Sequence, residues 1–335
     1  MVTIGLIGCG GMGNTHANCY LALGDRVKVI AVADVREDKR LNIANLTGAT
    51  PYESADELLE NEKPDVIDIC LPTYLHTKYA VMAMEKGCDL FMEKPAGLND
   101  EDCDRLLEVQ KKTGAKVQVG HVVRFMDPYA YIKKLADEGT YGKVLSGTFE
   151  RLSANPRWSW ENWYNIPERS GSGALDLHIH DTDFIRYLMN GEPDNMVSYA
   201  TRNSDGMISQ IDTTFNYGDV HIKAEGSWYD PPKFPFTSRC RVAFEKAVAV
   251  ATISTLKIYT NDGEVIEPDF KPAGNLSVDS GINVADLGGY YKELEYFIDK
   301  VLTGKGPEIV SLADAVKSAR LVYREIELTG GVQIK

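Results

Sequence analysis

VTIGLIGCGGMG, residues 2–13, decides the fold. An apolar run, 2–7, leads straight into Gly8-Cys9-Gly10-Gly11-Met12-Gly13, and 14–23 follows with helical spacing. The pattern is a strand, a G-x-G-x-x-G turn and a helix. The first glycine permits the tight turn, the second lets a pyrophosphate approach the backbone, and the third lets helix and strand pack closely. Phosphates bind at such a turn on the N–H groups and the positive dipole end of the helix. A second apolar stretch, 27–33, ends at Asp34. That is about 20 residues beyond the fingerprint, where an acid meets the adenosine ribose hydroxyls and repels a 2′-phosphate. NAD is therefore favoured. Arg36 keeps NADP open, as a partner for that phosphate or a stack for adenine. A ligand-free βαβ turn is the weaker alternative, because strand, helix and acid all fall in place.

Working outward, helical and strand patterns alternate as far as residue 120. Helices are predicted over 36–46, over 53–59 with Ser54 as N-cap, from 73 to 84, and over 100–112. Strands are predicted over 65–71, 88–92 and 116–120. Alternation of this kind gives a parallel, doubly wound Rossmann sheet whose ligand crevice lies beyond the carboxyl ends of its strands. Leu71, Pro72, Thr73, His76, Glu93, Lys94 and His121 fall just after such ends. With the fingerprint residues, Asp34 and Arg36, they form the expected cofactor-binding set. Lys94 precedes a proline, which keeps it out of a helix. It could donate to a substrate oxygen or be an ordinary solvated lysine. His76 could equally cap the helix that follows Pro72.

Composition narrows the class. The chain has 335 residues, 44% hydrophobic and 25% charged, with a formal net charge of −13. That length accommodates two domains. The acidic balance argues against nucleic acid or an anionic membrane as main partner. No apolar run approaches the ~18 residues of a membrane span. The first strand begins at once, so no signal peptide is expected. Six cysteines without a C-x-x-C pair read as reduced thiols in a cytoplasmic protein.

The pattern changes after residue 122. A helix over 127–138 is followed by strands over 144–152, 195–201, 208–217, 220–228, 239–249 and 256–259, with Gly218-Asp219 as a hairpin turn. Short connections imply an antiparallel sheet. Helices return over 292–302 and 312–328. The expected domains are thus 1–122, a Rossmann domain, and 123–335, an α+β domain on a large, open, mainly antiparallel sheet that also carries oligomerisation. Trp158, Trp160 and Trp163 cluster ahead of the main strands, as a packed lid or as an aromatic wall for a substrate. In 170–188, Asp176, His180, Asp183 and Tyr187 share one helical face, which places Asp176 beside His180. An aspartate so placed orients the ring and favours its protonated form, as a general acid–base requires. A dipole-complementing Asp176 and a structural His180 are the plain alternative. His178 and His180 point to different faces, so no metal is expected.

Gly8-Cys9-Gly10-Gly11-Met12-Gly13, then Leu71-Pro72-Thr73-x-x-His76, then Glu93-Lys94-Pro95 resembles the glucose–fructose oxidoreductase, inositol dehydrogenase and MocA family. The likeness extends to Gly171-x-Gly173-x-x-Asp176-x-x-x-His180, with Ser172 where a second glycine is common. It implies Lys94, Asp176 and His180 as the catalytic set. It also implies an NAD(P)-dependent dehydrogenase acting on a secondary alcohol of a sugar, inositol or related polyol. Arg124, Arg157, Trp160, Trp163, His178 and Tyr291 are further candidates for substrate contact. Members that cleave glycosides with bound NAD, and dinucleotide-binding sensors, are the alternatives. The expected partners are a small polyhydroxylated substrate and a second copy of the chain, in a dimer or tetramer through the sheet.

Overall fold

The computed structural model describes residues 1–270, 287–305 and 308–330. They divide into two compact units. The first is Met1–Val122 with the described part of Pro272–Val316, and the second is Val123–Lys271 with the described part of Lys317–Lys335.

In the first unit, strand β1 (Val2–Ile7) enters helix α1 (Gly11–Ala22) through the glycine turn. Strand β2 (Val27–Ala33), helix α2 (Glu37–Thr47), strand β3 (Thr50–Tyr52) and helix α3 (Ala55–Asn61) follow. Ser54 caps α3 by accepting the Glu57 amide at 3.1 Å. Strand β4 (Val66–Ile69) leads through a 3₁₀ turn into helix α4 (His76–Glu85). Strand β5 (Asp89–Glu93), helix α5 (Asp100–Thr113) and strand β6 (Val117–Gly120) complete the alternation. The order is β3-β2-β1-β4-β5-β6, and every pairing is parallel. That is the doubly wound order of a dinucleotide-binding sheet. β4 is buried along its whole length, which explains its near-continuous apolar run.

The second unit begins with helix α6 (Asp127–Glu138), which carries proline in its first turn, and strand β7 (Val144–Ala154). Helix α7 (Pro167–Ser170) precedes a π-turn over Ala174–His178, which runs directly into helix α8 (Ile179–Leu188). Strands β8 (Asn195–Arg202), β9 (Ile208–Tyr217), β10 (Val220–Tyr229), β11 (Thr237–Phe244), β12 (Ala247–Thr252), β13 (Leu256–Thr260) and β14 (Val265–Ile266) join β7 in an eight-stranded sheet. Helix α9 (Gly288–Thr303) belongs to the first unit, where it packs on α1. Helix α10 (Leu312–Leu328) enters the second unit at Lys317.

One expectation is corrected. The 239–249 stretch is two strands, β11 and β12, because the chain reverses at Glu245-Lys246. Those residues carry none of the usual turn signals. The sheet is mainly antiparallel, as expected, with one parallel pairing, β7 with β10. Parallel partners need a long crossover, here the segment holding the tryptophans, α7 and α8. Helix α9, which the sequence reading includes in 123–335, groups with the first unit and packs on α1.

One row of paired residues crosses the second sheet from β8 to β13, clear of the register shifts at Ala243/Phe244 and Thr201/Arg202. Val197 faces Thr214, then Lys223, Thr148, Arg241, Val250 and Lys257 in one row. This row lies on the open face, with Val197 and Val250 among its exposed residues. The opposite face buries Phe149, Phe215, Ile222 and Val242 and is covered by α6 and α8.

Candidate active site

The glycine turn in the first unit has the geometry of a phosphate cradle. Gly8 adopts φ +96°, and a Cβ there would meet the Cys70 carbonyl oxygen at 2.4 Å. A Cβ on Gly13 would stand 1.9 Å from the Gly8 carbonyl oxygen. No side chain caps α1, and its first turn holds no acid. That end is suited to an anion. The Asp34 carboxylate accepts the Cys9 amide at 2.8 Å, the Arg36 amide at 2.8 Å, and Arg36 Nε and Nη2 at 3.0 and 2.9 Å. It therefore ties the turn to the end of β2 and draws Arg36 over Gly10, where a Cβ would meet Arg36 Nη2 at 3.4 Å. These residues fit a dinucleotide.

The other first-unit candidates end neighbouring strands. Leu71, Pro72 and the buried Thr73 follow β4, and the half-buried Lys94 follows β5. His76 lies between them, with Nε2 2.8 Å from the Leu71 carbonyl oxygen and Nδ1 3.1 Å from that of Pro95. Burial pushes its pKa down, outweighing the two carbonyl contacts, so the ring is held neutral. His76 thus braces the turns on both sides rather than capping a helix. His121 is buried just after β6.

A cluster that the sequence reading missed lies behind this edge. His16, on α1, sets Nδ1 2.8 Å from Asp68 Oδ2 and Nε2 3.1 Å from Glu93 Oε1. Glu293 of α9 is fully buried beside them, and its carboxylate, His16 and Glu93 bring donor atoms within 4.8 Å of one another. The signal was a charged residue, Asp68, inside an otherwise apolar central strand.

In the second unit, Asp176 lies in the π-turn and His180 in the first turn of α8, both half-buried. The face expected to continue through Asp183 does not. A π-turn takes up an extra residue, so a 3.6-residue phase started at Asp176 is lost by α8. Asp183 is buried and accepts from Arg124 Nε and Nη2 at 2.8 and 2.6 Å, and from Ser318 at 2.6 Å. Asp181 is held in the same way by Arg151, at 3.0 and 2.9 Å.

Several substrate candidates have partners within the protein. Arg124 is buried on Asp183 and stacked 4.6 Å from the Tyr187 ring. His178 is wholly buried, with Nε2 2.7 Å from Glu325 Oε2. Burial lowers its pKa, but the Glu325 carboxylate raises it further, and the net direction is up. Tyr291 joins Arg26 and Glu295 in an ionic cluster of the first unit, with its hydroxyl 3.1 Å from Glu295. Arg157 pairs at the surface with Asp230 at 2.7 Å. The tryptophan segment divides between both of its readings. Trp163 stacks on Tyr164 at 3.9 Å, and Tyr164 packs on the core around Trp228, while Trp158 and Trp160 stay exposed. Glu161 and Asn162 between them hold φ of 48° and 53°, a strained backbone of the sort concentrated at functional loops.

Comparison with known proteins now decides the family. A model described as an oxidoreductase family with an NAD-binding Rossmann fold matches residues 2–121, and the Gfo/Idh/MocA C-terminal domain matches 129–250. The chain belongs to the Gfo/Idh/MocA oxidoreductase family. Among its relatives, scyllo-inositol 2-dehydrogenase (NAD(+)) of Bacillus subtilis is 25% identical over 93% of this chain and 89% of its own. The 2,7-anhydro-N-acetylneuraminate hydratase of Escherichia coli is 29% identical over 58% of this chain and 52% of its own. The chain spans about half the length of the first curated relatives it matches. The fold is also that of myo-inositol 2-dehydrogenase from Lactobacillus plantarum, at TM-score 0.80, 21% identity, and coverage of 100% of this chain and 99% of that one. The family's NAD-binding Rossmann fold is the first unit described above.

Proposed function

We propose that the protein is an NAD-dependent dehydrogenase of CH–OH groups, acting on a secondary alcohol of a sugar, inositol or related polyol. One observation carries the reading. Lys94 leaves β5 on the same sheet edge as the glycine turn after β1 and the Leu71-Pro72-Thr73 turn after β4. A lysine is thereby placed where a doubly wound sheet binds its ligands. The inositol dehydrogenases among the relatives support the substrate class.

A bound nicotinamide would supply the hydride acceptor. The chain supplies binding and proton handling. The glycine turn and the N-terminus of α1 hold the phosphates, and Asp34 holds the adenosine ribose. Lys94 holds and polarises the reacting oxygen. His180 takes the hydroxyl proton as general base, and Asp176 orients that ring or a neighbouring hydroxyl. Val197, Tyr199, Val250 and Tyr259, exposed on the open face of the second sheet, support self-association there. Light scattering on a sizing column tests that point. The six cysteines, none of them in a disulfide and five of them buried, support residence in a reducing compartment.

A nicotinamide absorbance assay against inositols, aldoses and sugar acids, with NAD and NADP in separate runs, tests the reaction. NADH is expected with at least one polyol. Lys94→Ala should lower turnover by about 10²-fold or more with NADH affinity kept. Equal turnover in that variant removes Lys94 from the mechanism. The hydratase relatives favour a second reading, in which bound NAD is not consumed overall. Substrate disappearing with no net NADH would establish it.

A further inference from the structure

The buried cluster behind Lys94 holds more acidic groups than its one histidine can balance. Three carboxylates, Asp68, Glu93 and Glu293, surround the His16 imidazole. Relative exposure is 0% for His16, Asp68 and Glu293, and 8% for Glu93. Among the described residues no lysine or arginine pairs with any of the three carboxylates. The other groups facing the cluster are Tyr20, whose hydroxyl donates to Asp68 at 2.7 Å, and Cys70, with Sγ 3.2 Å from His16 Nδ1. Cys19 of α1, the Phe91 and Tyr290 rings at 5.4 and 6.4 Å from the imidazole, and the neutral His76 on the Glu93 side also face the cluster.

Both ring nitrogens of His16 face carboxylate oxygens: Nδ1 is hydrogen-bonded to Asp68 at 2.8 Å, and Nε2 lies 3.1 Å from Glu93 Oε1 in a contact without hydrogen-bond geometry. A neutral imidazole has one N–H, and its second contact would set one lone pair against another. The ring is therefore an imidazolium. Neither oxygen of Glu293 has a hydrogen-bond donor within the protein. Ionised, it would be a third buried negative charge against a single positive one. It is therefore the neutral acid. The surrounding backbone makes room for this arrangement, since a Cβ on Gly120 would lie 3.0 Å from Glu93 Oε1.

We infer that His16 and Glu293 are positioning residues for Lys94, holding two buried protons that fix the Glu93 carboxylate and, through it, the strand end from which Lys94 emerges. The same imidazole ties that strand end to α1, the helix that opens on the cofactor's phosphates. The inference rests on the proposed role of Lys94, and the experiments separate the two.

The protonation state is read on the whole protein without substrate. At about pH 8, ¹⁵N-histidine NMR should show a doubly protonated ring that His16→Asn removes, and the infrared spectrum a carboxylic-acid carbonyl band that Glu293→Gln removes. A neutral His16, no such band, or a stoichiometric divalent metal lost on Glu293→Gln would overturn it. The positioning is read by labelling with pyridoxal phosphate and borohydride against pH, peptide by peptide. In His16→Asn, Glu93 loses the positive ring beside it, and the field at the adjacent Lys94 becomes more negative. The Lys94 labelling midpoint should then move to higher pH while the midpoints of other lysines stay. A general rise in lysine labelling with no shift at Lys94 would show a merely structural role and overturn the positioning. Turnover of His16→Asn should fall by about tenfold or more, the scale that misaiming a catalytic group costs, with NADH affinity kept. If Lys94→Ala is inactive and His16→Asn is not slowed, the positioning fails alone. If Lys94→Ala is fully active, the catalytic reading fails, and the NMR and infrared results still decide the protons.

Discussion

At the scale of single residues, Asp34 shows how one carboxylate can serve two ends. It anchors the glycine turn through the Cys9 amide and holds the Arg36 guanidinium. Both features work against a 2′-phosphate, because the acid repels it and the cation that would attract it is already engaged. Asp34→Ser should shift preference toward NADP by about tenfold or more, as expected when like charges are separated. The check is the ratio of kcat/KM values for the two cofactors, and an unchanged ratio would remove Asp34 from selectivity. A second residue-scale prediction concerns Glu325, which accepts from His178 at 2.7 Å, Thr182 at 2.9 Å and Thr213 at 2.5 Å. The folded pKa of His178 lies above its unfolded value. Its contribution is therefore complete below about pH 6.5 and is lost as pH rises through the folded value. Glu325→Gln should cost about 3 kcal/mol at about pH 6 and less at about pH 9, read by urea unfolding. An equal cost at both pH values would mean that the imidazolium is not what the pair stabilises.

At the scale of elements, the π-turn ahead of α8 matters most. It lets Asp176 and His180 stay half-buried while the next acids, Asp181 and Asp183, turn inward onto arginines. The loop that leads into it has Ser172 at φ +66°. An L-residue pays about 1–2 kcal/mol in that region, and glycine gives back part of the gain through unfolded-chain entropy. Ser172→Gly should therefore stabilise the protein by about 0.5 kcal/mol, measurable as a higher denaturation midpoint. Destabilisation would mean that the hydroxyl contributes more than the strain costs. The elements also show why some of the sequence was opaque. The β11–β12 reversal lacks turn residues, and a π-turn has no pattern of its own within a 3.6-residue period.

For the whole molecule, the cofactor should act as a folding ligand. The glycine turn, Asp34 and the α1 N-terminus exist together only when the parallel sheet is formed. NADH at about a hundred times its dissociation constant should then add about 2.7 kcal/mol to stability, seen as a rise in Tm that grows with its concentration. A Tm independent of NADH would show that the turn does not bind it. The family assignment and the two-layer plan rest at this scale too, since the matched regions cover both units.

Local sequence determined most of the first unit. Glycine spacing, strand-ending acids and alternating apolar runs are short-range constraints, and each leaves its mark within about one turn or one strand. The same holds for the G-x-G turn, for Ser54 as the cap of α3, and for the reach of α6 and α10. Tertiary structure alone decided the rest. Arg124, His178 and Tyr291 look like ligand contacts in a sequence because polar residues near a motif are common. Their partners Asp183, Glu325 and Glu295 are close only after folding. His16, Asp68, Glu93 and Glu293 come from four separate elements, and burial gives their charges a meaning that spacing cannot carry. A buried charge must find its counterpart wherever the fold places one, and that choice is made across the sheet rather than along the chain.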